Sequence, residues 1–263
     1  MMQFLAPILM LTGLGLFFGL VLTFASKKFA VTQDPRIQKI LESLPGANCG
    51  ACGKAGCAVF GESLVRGELS LDNCKVCSAD QAAEIAKILG VKAATKTKQI
   101  VTLRCHGGKT AKDKFIYEGP KDCQAAAGLL GGYKLCDYAC LGFDNCVRAC
   151  PFGAIKMSQE GLPIIEGALC TGCGQCVTAC PRNLMVLIPA KAKIYVGCSS
   201  DDAAKTVARV CAIGCIACKK CEKVCPVDAI KVVEGLAIID YGKCTSCGEC
   251  IKACPRKIIL WRK

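Results

Sequence analysis

Residues 244–255 read CTSCGECIKACP, placing thiols at Cys244, Cys247, Cys250 and Cys254 with a proline directly after. Three sulfurs within one tight turn and a fourth just beyond it converge on a small volume. Soft thiolate donors at that spacing suit an iron–sulfur cubane. The run C-x2-C-x2-C-x3-C-P is the bacterial dicluster pattern, whose fourth Cys ligates the other cluster of a pair. It recurs at Cys170, Cys173, Cys176 and Cys180, and at Cys215, Cys218, Cys221 and Cys225. A near-copy stands at Cys140, Cys146 and Cys150. A chain with four such blocks in succession has little freedom except to wrap around metal centres.

The chain holds 25 Cys in 263 residues. Disulfide frameworks belong to small secreted domains, and C-x-x-C-x-x-C triplets are too cramped for independent bridges. Zinc sites draw two C-x-x-C pairs from separate knuckles, whereas a triplet closed by Cys-Pro points to clusters. Thiols that bind metal must stay reduced, which places them in the cytoplasm. The formal charge is +13, from 34 Lys+Arg against 21 Asp+Glu. A cubane with four thiolates carries about −2, so five would add about −10 and leave roughly +3. The basic excess therefore offsets the clusters, and nucleic acid is not an expected partner. The single histidine, His106, rules out a Rieske centre, which needs two.

Residues 150–184 and 225–258 repeat one another, CPFGAIKMSQEGLPIIEGALCTGCGQCVTACPRNL against CPVDAIKVVEGLAIIDYGKCTSCGECIKACPRKI. Each reads as a dicluster ferredoxin unit with a hairpin (154–166 and 229–240, turning at Gly161 and Gly235) between its Cys runs. Crossed ligation then joins Cys150 to Cys170, Cys173 and Cys176. It joins Cys225 to Cys244, Cys247 and Cys250, and Cys254 to Cys215, Cys218 and Cys221. The fourth set has Cys140, Cys146 and Cys180, with Phe143 standing where Cys218 stands in the second repeat. Cys136 is the expected substitute, and without it the site would hold a [3Fe–4S] cluster.

Upstream, Cys49, Cys52, Cys57 and Cys74 have a different spacing and imply a separate one-cluster domain. The expectation is thus five [4Fe–4S] clusters on twenty Cys. Cys77, Cys105, Cys123, Cys198 and Cys211 are left as packing thiols, although Cys105 and Cys123 could bind something as a pair or with Cys136. Residues 4–25 carry no charge and are long enough to cross a bilayer, with Lys27 and Lys28 directly after. Gly15-x3-Gly19 offers a close-packing face to another membrane helix. Asp34-Pro35 starts a helix. Residues 58–66 and 80–89 read as two more helices, the last capped by Gly90. The predicted fold class is α+β, in six stretches. These are an anchor (1–28), a single-cluster domain (29–91), a linker with Gly/Cys-rich loops (92–133), a first dicluster domain (134–190), an inserted strand–helix segment (191–209) and a second dicluster domain (210–263). Nothing resembles a nucleophile–base pair, a nucleotide loop or an open metal site, so the chain has no catalytic site of its own.

The apolar N-terminal helix, then LPGANCGACGKAGC with the distant Cys74, then RCHGG and CLGFDNCVRACPFGAI, resembles the B component of the Rnf ion-translocating ferredoxin:NAD oxidoreductase family. The second dicluster repeat is similar to the longer forms from anaerobes. The resemblance implies a single-pass component of the bacterial inner membrane with its clusters on the cytoplasmic side. It implies soluble ferredoxin as electron donor, other membrane and peripheral subunits as partners, and coupling of electron flow to Na+ or H+ export. It also puts the Cys49, Cys52, Cys57 and Cys74 cluster nearest the membrane subunits. Two other readings stay open. One is a polyferredoxin component of a hydrogenase or formate dehydrogenase, which would lack the 49–74 module. The other is an iron–sulfur redox sensor, for which twenty filled ligand positions would be excessive.

Overall fold

The computed structural model describes residues 2–29, 34–92 and 97–262. Helix α1 (Met2–Lys28) is unbroken over 27 residues. At 1.5 Å per residue it is about 40 Å long, enough for a hydrocarbon core of about 30 Å. Its described apolar side chains, among them Leu14, Phe17, Leu20 and Phe24, are exposed on every side. An added Cβ at Gly15 or Gly19 would meet nothing within 4 Å. A helix apolar all round with no protein against it is one that lipid or other helices must cover.

Three helices build the next unit, α2 (Pro35–Ser43), α3 (Cys57–Val65) and α4 (Ala79–Leu89). Asp34 caps α2 by accepting from the Arg36 amide, as its position before Pro35 predicts. Ser78 and Gln81 form a reciprocal capping box on α4, which ends on Gly90 in the left-handed conformation. Ile40, Leu44, Phe60, Leu64 and Ile85 meet in one core. Burying each such side chain contributes about 1.5–3 kcal/mol. Gly61 lies in α3 against Leu41 of α2, where an added Cβ would make ordinary contact at 3.4 Å.

Strand β1 (Gln99–Leu103) follows, then the short helices α5 (Cys123–Gly128) and α6 (Asn145–Arg148). The first repeat continues with β2 (Ile155–Met157), β3 (Pro163–Ile165), α7 (Gln175–Thr178) and β4 (Met185–Pro189). The second has β5 (Ile194–Val196), α8 (Ala204–Val210), α9 (Lys220–Lys223), β6 (Ile230–Val233), β7 (Leu236–Ile239), α10 (Glu249–Ala253) and β8 (Ile259–Trp261). The strands form four antiparallel pairs, β1–β4, β2–β3, β5–β8 and β6–β7. The β2–β3 and β6–β7 pairs are the expected hairpins.

The other two pairs change the expected boundaries. Leu103 lies opposite Met185, and Val196 lies opposite Ile259. Residues expected as linker thus supply β1, and the expected insert supplies β5, each pairing with the last strand of its repeat. The structural repeat therefore begins upstream of 134 and 210. Two-stranded ribbons are marginal in water, so each needs the packing beside it.

The chain folds alike four times around the Cys runs. Asp144, Gly174, Lys219 and Gly248 precede the four short helices, all in the left-handed region. Gly153, Asn183, Asp228 and Lys257 follow the four Cys-Pro steps, also left-handed, and each amide donates to the carbonyl of the preceding ligand Cys. A non-glycine residue in that region carries strain, and here the same turn repeats at every run.

Candidate iron–sulfur sites

Four thiol groupings fall where the Cys spacing predicts. Cys49, Cys52, Cys57 and Cys74 line one pocket. The Asn48 side chain spans the loop, its Oδ1 accepting the Cys57 amide at 2.8 Å and its Nδ2 donating to the Gly46 carbonyl at 3.2 Å. Cys215, Cys218, Cys221 and Cys254 line another. Cys176 lies within electrostatic reach of Cys173, Cys170 and Cys150. Cys250 lies likewise near Cys244, Cys247 and Cys225. Burial, then the neighbouring thiols, push Cys176 up to about 12 and Cys250 to about 11. Metal must displace those protons. At Cys225 burial acts in the same direction, but the amides of Ala229, Val227, Ile230 and Asp228 outweigh it and hold the thiol below its ordinary value.

The irregular set differs from the expectation. Cys140, Cys146 and Cys180 line one pocket, and the fourth thiol in it is Cys123, not Cys136. The Phe143 ring packs on Tyr117 and Tyr133, centroids 5.4 and 5.7 Å away. Cys123 sits at the start of α5, where the Asp122 carboxylate accepts the Gln124 and Ala125 amides. Asn145, at the start of α6, locks that corner to the Cys146 helix. Its Oδ1 accepts the Cys123 amide at 2.8 Å, and its Nδ2 donates to Asp122 Oδ2 at 2.7 Å. Arg148 is engaged here too, with Asp144 at 2.7 Å, Asp122 at 3.3 Å and Asn145 at 2.8 Å. Its charge is therefore held in this corner. Burial, then neighbouring thiols, push Cys140 up to about 12 and Cys146 to about 11. No periodic signal in the sequence pairs Cys123 with Cys146. The one hint is the gap at Phe143 beside a spare upstream Cys.

Cys136 lies in a different pocket, shared with Cys105, Cys198 and Cys211. Cys77 packs against the α2–α3–α4 core. His106 faces Tyr195, Nε2 to Oη at 3.0 Å, and burial holds its imidazole below the ordinary pKa. Among the described residues no three Cys, His or carboxylate groups converge tightly enough for one metal ion. Four sulfurs around one recess with no tight single-ion convergence fit a cubane better than a single zinc. Backbone amides aimed at the sulfurs, such as Leu184 to Cys180 at 3.4 Å and Ala229 to Cys225 at 3.2 Å, suit cluster thiolates.

The sites also stand next to one another. Cys49 is within reach of Cys173, and the Gln175 side-chain amide donates to the Cys49 carbonyl. Cys176 is within reach of Cys146.

The family model described as "Putative Fe-S cluster" matches residues 44–76. Models described as "4Fe-4S dicluster domain" match residues 136–185, 169–229 and 214–258. Three relatives, each the B component of its complex, match along most of the chain. That of an ion-translocating oxidoreductase complex from Methanosarcina acetivorans is 43% identical over 256 residues, 97% of this chain and 97% of its own. That of a Na(+)-translocating ferredoxin:NAD(+) oxidoreductase complex from Acetobacterium woodii is 41% identical, over 97% of this chain and 77% of its own. That of a proton-translocating ferredoxin:NAD(+) oxidoreductase complex from Clostridium ljungdahlii is 42% identical, over 94% of this chain and 89% of its own. The likeness runs from the apolar helix through both dicluster repeats, and the chain belongs to the family of B components of ion-translocating oxidoreductase complexes.

Proposed function

We propose that this chain relays single electrons from reduced ferredoxin to membrane subunits of an ion-translocating ferredoxin:NAD oxidoreductase. The observation that carries the reading is a set of five four-thiol groupings, in which the Cys140 set neighbours the Cys176 set and that set neighbours the Cys49 set of the domain tethered to an apolar helix. A [4Fe–4S] cluster supplies one-electron chemistry when bound. The proposed ligand sets are Cys49, Cys52, Cys57 and Cys74, then Cys150, Cys170, Cys173 and Cys176, then Cys123, Cys140, Cys146 and Cys180. Two more follow, Cys215, Cys218, Cys221 and Cys254, then Cys225, Cys244, Cys247 and Cys250. The amides that reach sulfurs such as Cys49, Cys180 and Cys225 would stabilise the thiolate and help set how easily a site accepts charge. Lys27 and Lys28 at the end of α1 favour a single pass with the thiol-bearing domains in the cytoplasm of a bacterial cell.

The coupling step, export of Na+ or H+, falls to the membrane subunits. The named ion differs between two of the relatives, sodium in one and protons in another. At the far end, Cys218 and Cys247 are exposed. Lys219, Lys220 and Lys223 are exposed around the first of them. A cationic rim beside an accessible site would steer an acidic donor, and salt would screen it. Stopped-flow mixing of reduced ferredoxin with the reconstituted chain is therefore expected to show transfer that slows several-fold as ionic strength rises. Transfer indifferent to salt would remove the docking role of these lysines, and no oxidation of ferredoxin would remove the relay itself.

A further inference from the structure

Four cysteines outside those five sets come together where the two repeats meet. Cys105 is 6% exposed, and Cys136, Cys198 and Cys211 are each 8% exposed, so all four are more buried than most of the cluster thiols. They line one recess together, as do the thiols of three of the assigned sets. Cys136 lies within electrostatic reach of the other three.

The four are related by the internal repeat. Arg104 N donates to Leu184 O and Gly197 N donates to Ile258 O, both at 2.8 Å, which makes Cys105 and Cys198 counterparts. Cys136 and Cys211 precede Cys140 and Cys215 by the same four residues. Each half thus contributes two thiols from matching places. The sulfurs receive amides as cluster ligands do. Cys140 N donates to Cys105 Sγ at 3.3 Å, and Cys215 N donates to Cys198 Sγ at 3.4 Å, again counterparts. Tyr138 N–H points at the Cys136 sulfur. Gly107 keeps the floor open, since a Cβ there would meet Cys211 Sγ at 3.3 Å. Arg256 fixes the loop after Cys211, donating to its carbonyl at 2.6 Å and to that of Gly214 at 3.2 Å.

We infer that Cys105, Cys136, Cys198 and Cys211 form a sixth [4Fe–4S] site on the pseudo-symmetry axis between the dicluster repeats. The inference rests on the other five sets being iron–sulfur sites. Assembly takes two ferrous ions, two ferric ions and four sulfides as a [4Fe–4S]2+ core, with no net change of oxidation state. Four S–Fe bonds form as four thiols release four protons, leaving a net charge of about −2. The site adjoins the Cys140 set through Cys105 and the Cys215 set through Cys198. It would therefore turn two separate pairs into one continuous row, gaining one electron from one neighbour and losing it to the other.

The full-length chain, reconstituted anaerobically with equal amounts of ferrous and ferric iron and with sulfide, is expected to hold about 24 iron atoms and as many sulfides. The C198S/C211S double variant is expected to hold about four fewer of each. A Cys77→Ser variant, outside every set, should match the parent. Mössbauer and EPR spectra of C198S/C211S should lose one cluster's worth of intensity while the remaining [4Fe–4S] signals persist. The single variant Cys105→Ala, gentler on the fold, is expected to yield a [3Fe–4S] EPR signal absent from the parent. About 20 iron in both parent and double variant, with no new signal from Cys105→Ala, would overturn the sixth site and leave the other five standing. One zinc per parent chain, lost in the double variant, would overturn it equally. Iron far below 20 in the parent would instead strike the five-set reading beneath it.

Discussion

Cys123 shows how one side chain can be placed by its neighbours rather than by its spacing. Asn145 Oδ1 holds its amide and Asp122 caps its helix, so the thiol faces Cys146 across α6. If Cys123 completes that set, Cys123→Ala in the reconstituted chain will convert one [4Fe–4S] signal into a three-iron EPR signal. Asn145→Ala leaves the sulfur but frees its corner. It is expected to give partial occupancy of the same site, read as a few-fold faster loss of iron to a chelator. The Cys runs are legible in the sequence because consecutive ligands are near one another and their spacing repeats. Cys123 is not, because its sulfur arrives from 17 residues before Cys140 through tertiary packing. Alignment of the repeats assigns Cys136 to a gap that the fold fills from elsewhere. Cys105 and Cys198 share no motif in letters, RCHGG against VGCSS, and are equivalent only through strand register.

Among the elements, α4 has the most self-sufficient signals, a Ser78–Gln81 capping box and a left-handed Gly90 stop. Ser78→Ala should lower stability by about 1 kcal/mol. Denaturant unfolding of the holo chain would test this, with the midpoint moving and the slope unchanged. Helix caps and the β2–β3 and β6–β7 hairpins are legible because a few adjacent residues determine them. The β1–β4 and β5–β8 pairs are not, because their strands lie some eighty residues and some sixty residues apart and only three to five residues pair. Those ribbons carry Arg104-Cys105 and Gly197-Cys198 at their ends, so their register aims thiols. In short ribbons of this kind the backbone alone supplies little cooperativity. Removing iron with a strong chelator under anaerobic conditions is therefore expected to broaden or abolish the thermal transition of residues 97–262. The α2–α3–α4 core would keep far-UV helical signal longer. Retention of a sharp transition by the iron-free chain would show that packing alone holds the repeats.

For the molecule as a whole, the number of occupied thiol sets decides the charge balance. Each occupied site adds about −2, so six would nearly cancel the formal +13 of the polypeptide. Lys219, Lys220 and Lys223 would remain a local positive rim on a nearly neutral body, which is why the salt response should report docking rather than bulk attraction. One further consequence comes from the membrane end. Between Lys28, the last residue of α1, and Asp34, the cap of α2, lie only six peptide steps. Fully stretched, they reach about 20 Å. If α1 crosses the bilayer, the Cys49 set can therefore lie no farther from the lipid surface than that reach plus the width of its own domain, which keeps any electron exchange there close to the membrane plane.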